Sequence, residues 1–449
     1  MKHLFSRLSP AQKIILSFLL VIFCGSLLLS LPWVQTASSQ AGYLDHLFTA
    51  VSMVCVTGLF TRSVVDTYNV WGQLLCMLLI QIGGLGILTF IGFFTMESRK
   101  KLSLKDRRIL RDSFSYGHNR TLGQFVRSIF ITTFSIEGLG ALLLMIRFIP
   151  KFGLRKGIFN SIFLAVSAFC NAGFDNFGND SLLGLQTDVL VNITLALLII
   201  TGGLGFMVWF DLATKLGGKQ KVLHFHTKVV LLLTAGLLVF GTVTSLWTEY
   251  NNPGTIGNLS FGDKLLVSFF QTVSMRTAGF ASIDYTAARP VTLFIYLLQM
   301  FLGGAPGGTA GGLKITTFLV LLLFARKEIL GLPHTNMGRR TLSPQLVQKA
   351  FGVTVIFQLT FLLGLLALGL VTDSSHRFIY LIFETVSALA TVGVTANITT
   401  SLNTAGMIVI MLLMFIGRVG PLTLMVSLNH YQPKKAATLH YSKADIMIG

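Results

Sequence analysis

The residues of this chain best suited to chemistry form four short turns. They are Val56-Thr57-Gly58-Leu59, Asn171-Ala172-Gly173-Phe174, Thr277-Ala278-Gly279-Phe280 and Thr391-Val392-Gly393-Val394. Each turn follows a variant of one phrase: Phe48-Thr49-Ala50-Val51-Ser52, Phe163-Leu164-Ala165-Val166-Ser167, Phe270-Gln271-Thr272-Val273-Ser274 and Phe383-Glu384-Thr385-Val386-Ser387. The serines are 115, 107 and 113 residues apart. The chemistry implied is ion coordination, not bond-making. A cation leaving water must exchange its hydration shell for oxygens, and rings of backbone carbonyls on one axis supply them. Glycine tolerates the backbone angles that turn carbonyls inward. Each turn has one glycine, where the T-V-G-Y-G signature has two, so fewer ordered ion positions are expected.

Four such turns need elements that hold them at membrane depth. In each quarter of the chain a long apolar helix is expected, then a short one, the turn, and a second long helix. The expected segments of the first quarter are 11–31, 43–54 and 70–94. Those of the second are 125–148, 157–169 and 189–212, those of the third 227–247, 261–274 and 291–323, and those of the fourth 347–371, 377–389 and 406–428. The middle helix of each set is too short to span a bilayer and reads as re-entrant. Non-helical backbone at that depth must be buried by protein or line a water-filled path. A short helix descending from outside also aims its partial negative C-terminal end at the cavity. The result is an all-α integral membrane fold of four pseudo-repeated modules with eight spans around one pore. The modules are expected at 1–112, 113–220, 221–340 and 341–449.

A second glycine repeat lies in the last helix of each module: Gly83-Gly84-Leu85-Gly86, Gly202-Gly203-Leu204-Gly205, Gly303-Gly304-Ala305-Pro306-Gly307-Gly308 and Gly417-Arg418-Val419-Gly420. Close helix packing accounts for the first two copies. The third continues through Thr309-Ala310-Gly311-Gly312. Each glycine costs roughly 1 kcal/mol against alanine inside a helix, so a continuous helix across it is not expected. An irregular loop, Gly303–Gly312, lying under the turns and moving to open the path is expected instead. Arg418 places a cation at the centre of an apolar helix, at roughly 2.5–3.5 kcal/mol on insertion scales. It is expected either to form a charged constriction below the turns or to make a structural salt bridge, with Glu137 or Glu384 as partner. Glu384 is also the expected brace for Arg276, whose charge should point away from a cation path. Glu137 reads equally as a functional carboxyl or as a packed internal pair.

Composition sets the compartment. Hydrophobic residues make up 53% of the 449 residues and charged residues 12%, against about 25% charged in soluble domains. The net charge of +18 falls in alternate gaps. Arg99 to Arg127 fill one; Lys215, Lys219, Lys221 and Lys228 a second; Arg326, Lys327, Arg339, Arg340 and Lys349 a third. Lys2, Arg7 and Lys13 precede the first span, and Lys434, Lys435 and Lys443 follow the last. Basic loops are cytoplasmic, which puts both termini inside; Lys151, Arg155 and Lys156 are exceptions to the pattern. The basic excess thus serves topology and anionic lipid, and no nucleic-acid partner is expected. The four cysteines have no metal-ligand spacing, and no catalytic triad or P-loop occurs, so an enzyme is not expected.

The motifs F-Q-T-V-S-M-R-T-A-G-F at Phe270–Phe280 and G-G-A-P-G-G-T-A-G-G at Gly303–Gly312 are specific, and with the repeats around them they span nearly the whole chain. On these the chain resembles the Trk/Ktr/HKT potassium transporter superfamily, and among its members the membrane subunits of Ktr systems. The resemblance implies K⁺ uptake at the plasma membrane, with K⁺ held at Gly58, Gly173, Gly279 and Gly393. It implies gating by the Gly303–Gly312 loop and Arg418, and Na⁺ as an activator. It also implies a homodimer with one pore per subunit and a cytosolic octameric ring that binds a nucleotide of the ATP/ADP or NAD type. The competing expectation is a secondary carrier coupling K⁺ to Na⁺ or H⁺, for which inverted repeats would speak.

Overall fold

The computed structural model describes residues 10–86, 122–178, 181–218, 220–372 and 377–420. The expected helix beyond Gly86, the basic stretch from Arg99 to Arg120, the end of the last helix towards Leu428 and the basic tail lie outside the described residues, as do Lys2, Arg7 and Lys219.

The first quarter contains α1 (Pro10–Leu29), α2 (Tyr43–Cys55), the single turn α3 (Val64–Thr67) and α4 (Val70–Leu85). The second contains α5 (Leu122–Phe152), α6 (Leu154–Phe169), α7 (Val189–Gly203) and α8 (Phe206–Leu216). The third contains α9 (Phe225–Glu249), α10 (Phe261–Ser274), α11 (Pro290–Phe301) and α12 (Ile315–Ile329). A two-stranded hairpin, β1 (Asn336–Met337) and β2 (Arg340–Thr341), leads to α13 (Pro344–Val371), α14 (Phe378–Leu389) and α15 (Thr404–Val419).

Among the described residues four helices are long and apolar enough to cross a membrane, and each opens a quarter: α1, α5, α9 and α13. Their outer faces carry bare apolar side chains, among them Leu20 and Phe23, Leu139 and Leu142, Leu232 and Val239, Leu363 and Leu366. Water would penalise such continuous stripes; hydrocarbon does not. The chain is a multi-pass membrane protein.

The interior is built differently. Helices α2, α6, α10 and α14 have 13, 16, 14 and 12 residues, and their C-terminal halves are enclosed. Phe48, Phe163, Phe270 and Phe383, the first residue of each repeated phrase, are all fully buried. The phrase therefore anchors each short helix in the common core. Asn69, Asp188, Ser260, Ser343 and Asn403 cap the starts of α4, α7, α10, α13 and α15 by accepting backbone N–H bonds, which supplies partners to otherwise orphaned donors.

One expected helix is broken. The 189–212 segment divides into α7 and α8, which meet at a bend of 98°. Gly205 has φ +88° at the break. The Phe206 N–H donates to the Gly307 carbonyl, and the Ala305 N–H donates to the Gly203 carbonyl. Backbone groups that a straight helix would have paired internally are taken by the glycine-rich stretch of the third quarter, which hydropathy along the chain does not register.

Candidate cation pathway

The four glycines of the turns are in mutual contact. A methyl group added at Gly58 would lie 2.7 Å from the Ala172 carbonyl oxygen, and one at Gly173 2.6 Å from that of Ala278. One at Gly279 would lie 2.4 Å from the Val392 oxygen, and one at Gly393 2.0 Å from the Thr57 oxygen. The order is cyclic: first turn against second, second against third, third against fourth, fourth against first. Each contact falls on the carbonyl of the residue preceding the next glycine. No side chain fits at any of the four positions, so the turns close into a ring of backbone.

Backbone conformation repeats with equal regularity. Gly58, Gly173, Gly279 and Gly393 have φ of +101°, +69°, +85° and +99°. Two residues earlier, Val56, Asn171, Thr277 and Thr391 have φ of +56°, +57°, +70° and +52°. Three of those four are β-branched, for which this region is a true outlier. Strain of this kind persists where surrounding structure over-determines it, and it gathers at functional sites.

The repeated serine is part of that surrounding structure. Ser52 Oγ accepts the Gly58 N–H at 3.1 Å and Ser387 Oγ accepts the Gly393 N–H at 3.0 Å. In the third turn, one residue shorter between serine and glycine, Ser274 Oγ donates instead to the Phe280 carbonyl at 2.6 Å. Ser167 Oγ has no partner among the described residues, and neither do the buried Thr57 and Thr391 hydroxyls. The sequence exposes the serine repeat but not this role, because the partner lies on the far side of a turn whose geometry is tertiary.

Residues 302–314 leave the helix between α11 and α12 and run against the ends of the turns. Thr309 Oγ1 donates to the Phe169 carbonyl at 3.0 Å, and the Gly311 N–H donates to Thr277 Oγ1 at 3.2 Å. A methyl group at Gly311 would fall 1.9 Å from Thr391 Oγ1. The loop thus touches the end of α6 and the third and fourth turns at once. Lys314 Nζ ties its exit by donating to the Ala310 carbonyl at 2.6 Å.

Arg418 completes the enclosure. One terminal nitrogen donates to the Thr309 carbonyl of the loop; the other donates to the carbonyls of Gly83 and Gly84. Those two carbonyls lie in the last turn of α4, where a helix has no internal donors left to offer and carries partial negative charge. The acceptors of Arg418 are therefore carbonyls, and no carboxylate pairs with it among the described residues. The salt-bridge alternative with Glu137 or Glu384 is not what forms.

The expected Arg276–Glu384 brace does not form either. Glu384, fully buried, accepts from Thr395 Oγ1 at 2.6 Å and from the Thr399 hydroxyl. Gln271, at the equivalent place in the third repeat, binds Ser282 Oγ and the Tyr285 hydroxyl. Both side chains tie a short helix to its own ascending strand of chain, a partnership nearer in sequence than the one expected. Arg276 Nε is buried without a partner among the described residues.

Close packing explains more of the second glycine repeat than expected. Added methyl groups at Gly83, Gly202 and Gly417 would lie 2.2, 1.9 and 2.0 Å from the carbonyls of Val54, Phe169 and Leu389. The third copy departs, with Gly303 against the Gly311 carbonyl of its own loop.

A family model described as TrkH, cation transport protein, matches residues 7–438. The chain belongs to the TrkH family of cation transport proteins. Relatives of this TrkH-family chain include the Ktr system potassium uptake protein B of Bacillus subtilis, 38% identical over 446 residues and covering 99% of this chain and 97% of the relative. The potassium/sodium uptake protein NtpJ of Enterococcus hirae is 39% identical, covering 100% and 99%. The crystal structure of the potassium transporter TrkH from Vibrio parahaemolyticus shares the fold, with a TM-score of 0.73 at 17% identity over 93% of this chain and 84% of that one.

Proposed function

We propose that this chain carries K⁺ inward through a channel-like pore whose selectivity filter is the ring of four glycine turns. The observation that carries the reading is the cyclic contact of Gly58, Gly173, Gly279 and Gly393, each against the carbonyl preceding the next glycine. A closed ring of backbone at the centre of a membrane protein can replace a cation's hydration shell. Val56 to Leu59 and their equivalents in the other three turns form the filter, with K⁺ held at the glycines. The names of the Bacillus and Enterococcus relatives supply potassium as the ion.

In this reading the four modules, bounded at residues 112, 220 and 340, surround the pore as eight spans with both termini in the cytoplasm. The Gly303–Gly312 loop and Arg418 close it from the inner side, a reading supported by their bonds to the end of α6, to the third turn and to α4. Displacing the loop opens it. The membrane potential drives entry at about 2.3 kcal/mol per charge per 100 mV. Na⁺ acts as an activator, in keeping with the potassium/sodium name of the Enterococcus relative. The working unit is a homodimer docked on a cytosolic octameric ring that binds the controlling nucleotide.

Rubidium flux into proteoliposomes, measured against imposed voltage with and without Na⁺, tests the proposal. A conductive pore gives flux driven by the voltage and the Rb⁺ gradient, with Na⁺ changing its rate but not its driving force. A fixed stoichiometric requirement for Na⁺ or H⁺ would replace it with a coupled carrier.

A further inference from the structure

The mid-membrane carboxyl of Glu137 has no part in the pathway as described above, yet it lies directly behind it. Glu137 is on α5 and only 4% exposed. No cation pairs with it among the described residues. Both of its oxygens instead face Gln81 Nε2, at 3.1 and 3.3 Å. Cys170, the residue before the strained Asn171 of the second turn, points its thiol at the same pair, 3.7 Å from Gln81 Oε1 and 3.9 Å from Glu137 Oε1. That sulfur also occupies the space beside Gly84, where an added methyl group would meet it at 2.5 Å.

These contacts converge on one structural element. Gln81 stands two and three residues before Gly83 and Gly84, whose carbonyls receive Arg418. α4 ends at Leu85, since Gly86 leaves the helix at φ +83°. The orientation of its last turn is fixed from the side, by Gly83 against the Val54 carbonyl and by the contacts of Gln81. Glu137 does so through Gln81, and Cys170 fills the remaining gap.

We propose that Glu137 is a positioning residue for the inner closure: through Gln81 it fixes the carbonyl seat on α4 that holds Arg418 in place. The inference rests on the proposed role of Arg418 and the loop in closing the pore. Removing the carboxyl leaves the amide of Gln81 without its acceptor in a buried site, and the last turn of α4 relaxes. Glutamine at position 137 retains an oxygen for that amide and preserves the seat.

The test uses full-length protein in proteoliposomes, with rubidium as the transported ion. Glu137→Ala should raise maximal flux roughly five-fold, the ratio expected for loss of one net buried hydrogen bond, with KM unchanged because the filter is untouched. Glu137→Gln should restore the wild-type rate. Gln81→Leu, which removes the other partner, should match Glu137→Ala and decides the matter if the alanine variant does not fold. In both open variants Cys170 should react faster with N-ethylmaleimide, read by mass spectrometry of its peptide. Folded Glu137→Ala and Gln81→Leu proteins with wild-type maximal flux and wild-type Cys170 labelling overturn the proposal. So does Glu137→Gln behaving like alanine, which would make charge the active property. Absence of rubidium flux in the wild type would instead overturn the transport reading itself, while the Cys170 labelling still reports on the seat.

Discussion

Arg418 donates to the carbonyl oxygen of Thr309, joining α15 to a loop 109 residues earlier in sequence. The same guanidinium reaches the carbonyls of Gly83 and Gly84 on α4. A planar group with several donors in fixed directions can serve both sides at once, which a point charge on a flexible stem cannot. Arg418 is a clamp between the first, third and fourth quarters.

Replacing Arg418 with methionine should therefore raise maximal rubidium flux in proteoliposomes, because clamp and charge are lost together. Arg418→Lys keeps the charge and loses the fork. If the clamp dominates, lysine should behave like methionine; if charge repulsion dominates, lysine should behave like wild type. Reduced flux in both variants would remove Arg418 from the closing machinery.

The serines at the head of the turns give a prediction in which chemically identical changes have unequal effects. Ser52→Ala and Ser387→Ala each strand a buried glycine N–H, at a cost of about 1–3 kcal/mol. Ser167 Oγ has no partner to lose among the described residues, so Ser167→Ala should cost less than either. Thermal unfolding in detergent checks the order. Equal destabilisation at all three sites would mean that the serines act through packing alone.

The difference among those serines also marks how far the sequence could be read. The repeat of Phe, Val-Ser and glycine was visible because it is local, and it located the turns and the short helices that carry them. Arg418 stood out because a lone cation in an apolar helix is costly wherever it points. Its acceptors did not, since main-chain carbonyls at the end of α4 leave no trace in side-chain identity. The same blindness misplaced Glu384, which was matched by charge to Arg276 when two threonine hydroxyls were within reach. The bend between α7 and α8 was missed because its cause is a loop a hundred residues away.

The ring geometry ranks the effect of alanine at each turn glycine. All four substitutions meet a positive φ, at about 1–2 kcal/mol for an L-residue. The clash differs: 2.0 Å at Gly393, 2.4 Å at Gly279, 2.6 Å at Gly173 and 2.7 Å at Gly58. The neighbour is backbone in every case and cannot swing aside. Discrimination of K⁺ over Na⁺, measured as the ratio of flux rates, should fall in all four variants and furthest in Gly393→Ala. A set of four variants with unchanged discrimination would show that the ring does not select the ion.

The loop itself is tested by its removal and by its anchors. Deleting residues 303–312 takes away the bonds to Phe169 and Thr277 and the acceptor of Arg418, so flux should rise and lose its dependence on the state of the inner closure. Thr309→Val is the finer probe. It keeps the shape of the side chain and the Thr309 carbonyl used by Arg418, but it cannot donate to the Phe169 carbonyl. One lost buried hydrogen bond weakens the closed arrangement by about 1 kcal/mol, enough to raise the flux several-fold if closure limits it. Thr309→Val should therefore fall between wild type and the deletion, while Thr309→Ser, which retains the hydroxyl, should match wild type. If the valine variant transports like wild type while the deletion is fast, closure resides in the bulk of the loop and the Arg418 contact, and the anchor to the end of α6 is structural.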